Sequence, residues 1–172
     1  MNSKLKNKNS KLAFIALGSN LGDSRQIILA AMARMQSLSD SPNLKSSLWR
    51  TTPVDCPPNS PKFVNAVVGL VPPEKETPES LLKQLRGLEM EFGRAPKSVL
   101  NEPRPLDLDL IAFGNETRNS PELTLPHPRA QGRRFVLQPL SEIAPELILP
   151  GQLKTVSQLL AELPPDETVR RT

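Results

Sequence analysis

The chain of 172 residues has a single cysteine, no tyrosine and few aromatic residues of any kind. Because Cys56 has no second cysteine to pair with, an internal disulfide cannot form, and nothing indicates an oxidising compartment. No apolar run approaches the roughly 20 residues of a membrane-spanning helix. The first eleven residues also lack an apolar signal core. These absences argue against a disulfide-rich secreted domain and lead us to expect a cytoplasmic protein without membrane contact.

Proline and basic residues are abundant by contrast. The 19 prolines predict long ordered loops rather than a compact helix bundle, and the net charge is +4. Residues 1–11 carry four lysines and no acid, so we expect a disordered basic tail, followed by one domain over residues 12–172. The remaining basic residues include arginines grouped around loops, which favours a polyphosphate site over a nucleic-acid surface.

The most informative stretch is residues 103–113, Pro-Arg-Pro-Leu-Asp-Leu-Asp-Leu-Ile-Ala-Phe. The prolines exclude a helix around Arg104, and the apolar run predicts a strand with Asp107 and Asp109 on one face. Their Cα atoms then lie roughly 7 Å apart, and a divalent cation such as Mg²⁺ would relieve their repulsion. The guanidinium of Arg104 suits phosphate. The alternative is an edge strand whose two aspartates face water.

The order of the predicted elements indicates an α+β fold. Strands over 12–17, 44–51, 62–71 and 106–113 alternate with helices that begin near Asp23 and Thr77. This is the ferredoxin-like βαββαβ arrangement, in which an antiparallel sheet has two helices on one face and is free to bind a ligand on the other. A C-terminal extension follows, with short helical turns over 139–150 and a helix over 155–163.

Several features lie on or near the predicted free face. Phe63 and Asn65 share one face of their strand, and Asn65 suits either a flat ligand with donor and acceptor groups or a structural hydrogen bond. The Gly-Ser-Asn turn at 18–20 is interpreted as a plain turn, and an anion site at the following helix N-terminus is the less favoured alternative. The loop over 94–103 lacks apolar periodicity and lies beside the candidate metal ligands, which predicts a mobile lid.

Six segments of the chain occur together, in this order, in one enzyme family. They are Ala-Leu-Gly-Ser-Asn-Leu-Gly at 16–22, Phe-Val-Asn-Ala at 63–66, Leu-Glu followed by Gly-Arg at 88–94, Pro-Arg-Pro-Leu-Asp-Leu-Asp-Leu at 103–110, Pro-His-Pro-Arg at 126–129, and Arg-Arg-Phe-Val-Leu with Pro-Leu at 133–140. With these segments the chain resembles 6-hydroxymethyl-7,8-dihydropterin pyrophosphokinase of the folate pathway. The resemblance implies that Mg-ATP transfers its terminal pyrophosphoryl group to the pterin hydroxymethyl oxygen and releases AMP.

The resemblance also implies a role for individual residues. Asp107 and Asp109 match the ligands of Mg²⁺, with two ions expected to bind together with ATP. The catalytic set is Arg94, Arg104, Asp107 and Asp109; the ATP set is Arg94, Arg104, Leu110, His127 and Arg133; the pterin set is Thr51, Val54, Phe63, Asn65 and Phe135; and Glu89 supports the site from behind. The implied partners are ATP and the hydroxymethyldihydropterin, bound by a monomer without nucleic acid or membrane.

A binding module without catalysis is the alternative function. Ferredoxin-like domains also bind RNA, and the basic charge suits that function or a pterin or nucleotide sensor. Against RNA binding, the predicted strand at 62–71 lacks a series of exposed aromatic residues, and paired aspartates repel phosphate unless a metal ion intervenes. Magnesium-dependent ATP binding in the absence of nucleic acid would distinguish an enzyme from an RNA-binding module.

Overall fold

The computed structural model describes residues 12–53, 56–95, 100, 102–166 and 168–172. The predicted basic tail, Val54 and most of the predicted lid therefore lie outside the described residues. The described strands are β1 (Ala13–Ser19), β2 (Leu44–Lys45), β3 (Trp49–Thr51), β4 (Phe63–Leu70), β5 (Asp107–Phe113), β6 (Arg118–Asn119), β7 (Thr124–Leu125) and β8 (Arg170–Arg171). The described α-helices are α1 (Ser24–Met35), α2 (Pro78–Glu91), α3 (Arg134–Ile143) and α4 (Val156–Glu162).

Both predicted helix starts are confirmed by their capping contacts. The Asp23 side chain accepts a hydrogen bond from the backbone N–H of Gln26 at the start of α1. At the start of α2, Thr77 and Ser80 form a reciprocal capping box, and Pro78 occupies the first turn. Gly93 follows the end of α2 at φ +89°, a conformation that a residue with a Cβ rarely adopts. Local capping signals in the sequence therefore determine where α1 and α2 begin.

The main sheet is antiparallel, with the strand order β5–β1–β4–β3–β8 and with β2 also paired to β4. The expected α+β class is confirmed. The predicted strand over 44–51 is instead two short strands, β2 and β3. Between them, the hydroxyl of Ser46 accepts the backbone N–H of Val67 at 2.9 Å, so a side chain replaces a rung of the ladder.

One face of the sheet packs against α1 and α2. The buried residues of this layer come from both helices, from alternate positions of β1, β4 and β5, and from the residue just before β5. They include Ile15, Leu17, Ile28, Met35, Val68, Leu70, Leu81, Leu85, Leu88, Leu106 and Leu108. The period of two along each strand sends the intervening residues to the opposite face. This layer agrees with the predicted two-helix face.

The opposite face is not left open along its whole length, which corrects the expectation that helices cover one face alone. Helices α3 and α4 pack there in a second apolar cluster of Phe14, Val67, Ile111, Val136, Leu137, Leu140 and Val156. The predicted helix over 155–163 corresponds to α4, but over 139–150 only short helical turns were predicted, because prolines are frequent from Pro139 onward. Within α3, however, this proline removes a single N–H donor, and the buried apolar residues on either side hold the helix in place.

None of the described helices combines the length and apolar character needed to cross a membrane.

Candidate active site

Strand register brings the predicted aspartates and Asn65 to the same face. Gly18 of β1 is paired with Asn65 of β4 on one side and with Asp107 of β5 on the other, while Ala16 is paired with Asp109. Two strand spacings separate Asn65 from Asp107, which is roughly 10 Å. A Cβ on Gly18 would lie 3.2 Å from Oδ1 of Asn65 and 3.6 Å from Cδ1 of Phe63. Because Gly18 has no side chain, the sheet surface between the Asn65 amide and the two carboxylates is unobstructed.

Two arginines bind Asp107. Nη1 of Arg94 donates to Oδ1 of Asp107 at 2.7 Å, and Nη2 of Arg104 donates to Oδ2 at 3.3 Å. Burial alone would raise the pKa of Asp107, but the charges of Arg104 and Arg94 outweigh it and lower that pKa. Asp107 is therefore ionised at neutral pH, and the two predicted arginines lie at the predicted carboxylate.

Asp109 has the opposite electrostatic environment. Burial and the neighbouring charge of Asp107 raise the pKa of Asp109 to about 6, although Arg86 opposes this shift. The two carboxylates on one strand face thus differ in pKa, because only Asp107 forms ion pairs with Arg94 and Arg104. A cation placed between the carboxylates would favour the ionised form of Asp109.

Glu89 of α2 connects the helix to strand β5. It is only 2% exposed, yet its carboxylate accepts from Nη1 of Arg86 at 2.5 Å, from the backbone N–H of Leu108 at 3.1 Å and from Arg94. Because Arg94 contacts both Glu89 and Asp107, Glu89 holds this guanidinium beside the strand. The contacts agree with a supporting position, and the role itself remains a prediction.

Arg104 is fixed through its backbone by Asn20. The backbone N–H of Arg104 donates to Oδ1 of Asn20 at 2.9 Å, and the N–H of Asn20 donates to the carbonyl of Arg104 at 3.1 Å. Nδ2 of Asn20 also donates to the carbonyl of Pro61 at 3.3 Å. The sequence left Asn20 as an ordinary turn residue. The signal that marks it is burial of a polar side chain, with 2% exposure, which appears only in the fold.

The amide end of the face is uncharged and already hydrogen-bonded. Nδ2 of Asn65 donates to Oγ1 of Thr51 at 2.6 Å, and both side chains are buried. Thr51 is paired with Phe63 across β3 and β4, and the guanidinium of Arg104 lies 5.2 Å from the Phe63 ring. The structure therefore brings Thr51, Phe63 and Asn65 of the predicted pterin set together.

Phe135 lies at the start of α3, on the same side of the sheet. Its ring belongs to the edge of the second apolar cluster, and the guanidinium of Arg133 lies 5.3 Å from it. The predicted pterin and ATP residues Phe135 and Arg133 are thus adjacent. The stacking of Phe135 and Phe63 on the two faces of a pterin remains a prediction.

A cavity of about 230 Å³ opens beside Asp109. Its lining residues are Leu82, Arg86, Asp109, Leu110, Pro121, Glu122, Leu123, Thr124, His127 and Pro128. The predicted metal ligand Asp109 and the predicted ATP residues Leu110 and His127 therefore line the same cavity. Burial and the charges of Arg133 and Arg129 lower the pKa of His127, so this imidazole is neutral at pH 7.

Arg86 is an arginine of this cavity that the sequence analysis did not identify as a site residue. It donates to Glu89 and to the carbonyl of Leu108 at 2.9 Å, and its side chain remains 49% exposed. An arginine on the exposed face of an amphipathic helix has no sequence signal that separates it from a solvated charge. Only its position at a cavity with Asp109 identifies it as a candidate for binding an anionic ligand.

The donor set can hold a hard cation only together with a ligand. Among the described residues, no group of three or more His, Cys, Asp or Glu side chains could hold a metal ion. Asp107 and Asp109 alone provide two carboxylates, the number with which Mg²⁺ is commonly bound when water and phosphate oxygens complete its octahedron. The raised pKa of Asp109 fits a carboxylate that a cation would stabilise, so the residues suit a shared cation and polyphosphate.

Comparisons with known proteins point to one family. The profile of 7,8-dihydro-6-hydroxymethylpterin-pyrophosphokinase (HPPK) matches residues 14–145. The 2-amino-4-hydroxy-6-hydroxymethyldihydropteridine pyrophosphokinase of Pseudomonas aeruginosa is 38% identical over 152 residues, covering 88% of this chain and 91% of that protein. The Haemophilus influenzae protein of the same name is 39% identical over 153 residues, covering 88% of this chain and 89% of the relative.

Solved structures agree on the fold. Plasmodium falciparum HPPK-DHPS, crystallised with pteroate, superposes with a TM-score of 0.72 at 13% sequence identity over 93% of this chain. The chain spans about half of that solved chain, 47% of its length. At this identity the superposition supports the fold alone.

Proposed function

Because this chain belongs to the 7,8-dihydro-6-hydroxymethylpterin-pyrophosphokinase family, we propose that it transfers pyrophosphate from ATP to 6-hydroxymethyl-7,8-dihydropterin. The products are AMP and the pterin diphosphate of folate biosynthesis. One observation carries the assignment to this chain's own residues. The arginine-clamped Asp107, its partner Asp109 and the Asn65–Thr51 pair occupy a single face of the sheet.

The fold supports the same proposal. We infer that β1, β3, β4 and β5 with α1 and α2 form a ferredoxin-like core within a single domain over residues 12–172. The strand order β5–β1–β4–β3 and the antiparallel pairing support this inference. In this arrangement the nucleotide cavity lies at β5 and the amide pair at β3 and β4, so the two substrates meet above β1.

The carboxylates are assigned to metal binding. Asp107 and Asp109 would hold Mg²⁺, with two ions bound together with ATP, and the metal would supply charge neutralisation on the transferred group. The electrostatics of the chain support this use. Arg94 and Arg104 keep Asp107 ionised, while a cation would offset the burial and the neighbouring charge that raise the pKa of Asp109 to about 6. Asn65 and Thr51 need no metal and are already hydrogen-bonded to each other.

The arginines and the histidine are assigned to the triphosphate. Arg94 and Arg104 present planar donor groups beside Asp107, which suits charge that accumulates on phosphate oxygens during transfer. Arg86 and His127 lie in the cavity beside Asp109, and Leu110 and Leu82 give it an apolar wall for the adenine. Arg133 would reach the nucleotide from the start of α3.

The pterin is assigned to the amide end. Asn65 would bind the polar edge of the ring, with its orientation fixed by the 2.6 Å hydrogen bond to Thr51. Phe63 would contact one ring face and Phe135 the other, which offset aromatic packing favours. The hydroxymethyl oxygen would then point across β1 towards the carboxylates and the terminal phosphates.

An assay of AMP release tests this function directly. The purified protein is incubated with Mg-ATP and 6-hydroxymethyl-7,8-dihydropterin, and AMP is quantified. We expect AMP only when both are present, and none with a 6-methyl pterin that lacks the hydroxyl. AMP release that is independent of the pterin, or ADP as the product, would contradict the proposal. Binding of a single-stranded RNA in place of ATP would support the binding-module alternative.

A further inference from the structure

Glu142, on α3, forms a group of contacts that the proposed chemistry does not use. Its carboxylate accepts from Nε1 of Trp49 at 2.6 Å through one oxygen and from Oγ of Ser47 at 2.8 Å through the other. Arg171 of the C-terminal strand adds a third donor at 3.4 Å. A carboxylate that receives an indole N–H, a hydroxyl and a guanidinium links three separate segments of the chain.

Two of those segments carry the proposed pterin residues. Trp49 lies in β3 directly opposite Asn65, and Thr51 follows two residues later on the same face of the strand. On α3, Phe135 and Glu142 are seven residues apart, so they lie two turns apart on the same side of the helix, roughly 10 Å along its axis. The side of α3 that carries Phe135 is therefore the side tied to β3.

We propose that Glu142 and Trp49 are positioning residues for the pterin subsite, because their contact fixes the helix that carries Phe135 against the strand that carries Thr51. This inference rests on the proposed function. Neither residue touches the pterin in this account. The contact instead sets the distance between the Phe135 wall and the Asn65–Thr51 pair, and a flat ligand held between two walls binds only when that distance matches its thickness.

The C-terminal strand contributes less to the same contact. β8 pairs with β3, and the guanidinium of Arg171 lies 5.5 Å from the Trp49 ring. The Arg171 side chain is 63% exposed, so its ion pair with Glu142 is screened by water. The inference therefore predicts a ranking, in which loss of Glu142 matters most, loss of the Trp49 N–H less, and loss of Arg171 least.

The test measures pterin binding and ATP binding separately in the full-length protein. Calorimetry gives the Kd of 6-hydroxymethyl-7,8-dihydropterin in the presence of a non-hydrolysable ATP analogue and Mg²⁺, and the Kd of the analogue alone. For Glu142→Ala we expect pterin binding to weaken about tenfold, the loss typical of a hydrogen bond to a charged group. We expect nucleotide binding to change less than about twofold, because the nucleotide cavity contains neither Glu142 nor Trp49.

Conservative variants separate positioning from general destabilisation. Trp49→Phe keeps the ring and removes the N–H, and Glu142→Gln keeps an acceptor for that N–H, so each should weaken pterin binding less than Glu142→Ala. The double variant Glu142→Ala/Trp49→Phe should bind the pterin no worse than Glu142→Ala alone, because both substitutions remove the same hydrogen bond. Trp49 is the only tryptophan, so its emission reports directly whether the contact is lost.

Glu162→Ala is the matched control, since Glu162 lies at the end of α4 and forms an exposed ion pair with Lys154. It should leave pterin binding unchanged. Wild-type pterin affinity in both Glu142→Ala and Trp49→Phe would overturn the inference, as would equal weakening of pterin and nucleotide binding. If Glu142→Ala fails to fold, the same two Kd measurements on Trp49→Phe and Glu142→Gln test the inference. A wild-type protein that releases no AMP would instead refute the proposed function, whatever the variants do.

Discussion

The two ends of the site face are built on different principles. At the β5 end, charged groups dominate, and Asp107 and Asp109 differ in pKa because Arg94 and Arg104 form ion pairs with Asp107. At the β3–β4 end, the Asn65–Thr51 pair is neutral, buried and hydrogen-bonded without any ligand. The difference teaches that the amide end is preorganised by the fold, whereas the carboxylate end is completed electrostatically by what binds there.

The largest effect should follow from changing the carboxylates. We expect Asp107→Asn and Asp109→Asn each to lower turnover by about 10³-fold or more, because each removes a proposed metal ligand without changing side-chain volume. Thermal unfolding followed by circular dichroism should show that both variants remain folded. Asp40→Asn, at an exposed position, is the matched control and should retain full activity. Near-normal turnover in either site variant would refute the metal assignment.

A substitution at the amide end should weaken the binding of the pterin and leave the binding of the nucleotide unchanged. We expect Asn65→Ala to weaken pterin binding by about 10- to 100-fold, since it removes the polar-edge contacts and leaves Thr51 without its donor. Binding of a nucleotide analogue should be unchanged, which separate calorimetric titrations would measure. Asn115→Ala, on the exposed surface, controls for loss of an amide. Parallel weakening for both ligands would show that the two ends are not separable.

Arg86 tests whether the charged end extends along α2. We expect Arg86→Gln to raise KM for ATP about fivefold and to leave KM for the pterin unchanged, because Arg86 lines the nucleotide cavity. Arg34→Gln removes an arginine of similar exposure that pairs with Glu91 on the surface, and it should have no kinetic effect. Steady-state kinetics with each substrate varied in turn make the comparison. An unchanged KM for ATP would exclude Arg86 from the nucleotide site.

The smallest effect concerns the pH response of His127, the only histidine. Burial and the charges of Arg133 and Arg129 lower its pKa below the usual value of about 6.5, so the unfolded chain takes up this proton more readily. Stability should therefore decline as pH falls below 6.5, with no contribution near pH 8. Proton NMR can follow the single imidazole, and ATP should raise its pKa. A pKa above 6.5 without ligand would contradict this environment.

The sequence predicts strongly periodic and capped segments well. The strand at 107–113, the amphipathic helices after Asp23 and Thr77, and the common face of Asp107 and Asp109 were all correctly predicted, because alternation and capping are local properties. The roles of Arg94, Arg104 and Asn65 came from the family resemblance. The structure then provided the contacts that make those roles physically reasonable.

Tertiary contacts explain what the sequence did not predict. Helix α3 passes through Pro139 because buried neighbours on the sheet offset one lost hydrogen bond, and such packing has no local signal. The contacts of Asn20 with Arg104, and of Glu142 with Trp49, join segments 84 and 93 residues apart. Polar side chains at such separations look like ordinary turn or surface residues until the fold brings their partners together.

The most direct measurement is a crystal structure with 6-hydroxymethyl-7,8-dihydropterin, Mg²⁺ and a non-hydrolysable ATP analogue. The account predicts magnesium within about 2.1 Å of oxygens from both Asp107 and Asp109, and also bound to phosphate oxygens of the nucleotide. The pterin should lie over Gly18 with its polar edge on Asn65. Well-ordered nucleotide and pterin with no cation at either aspartate would contradict the account.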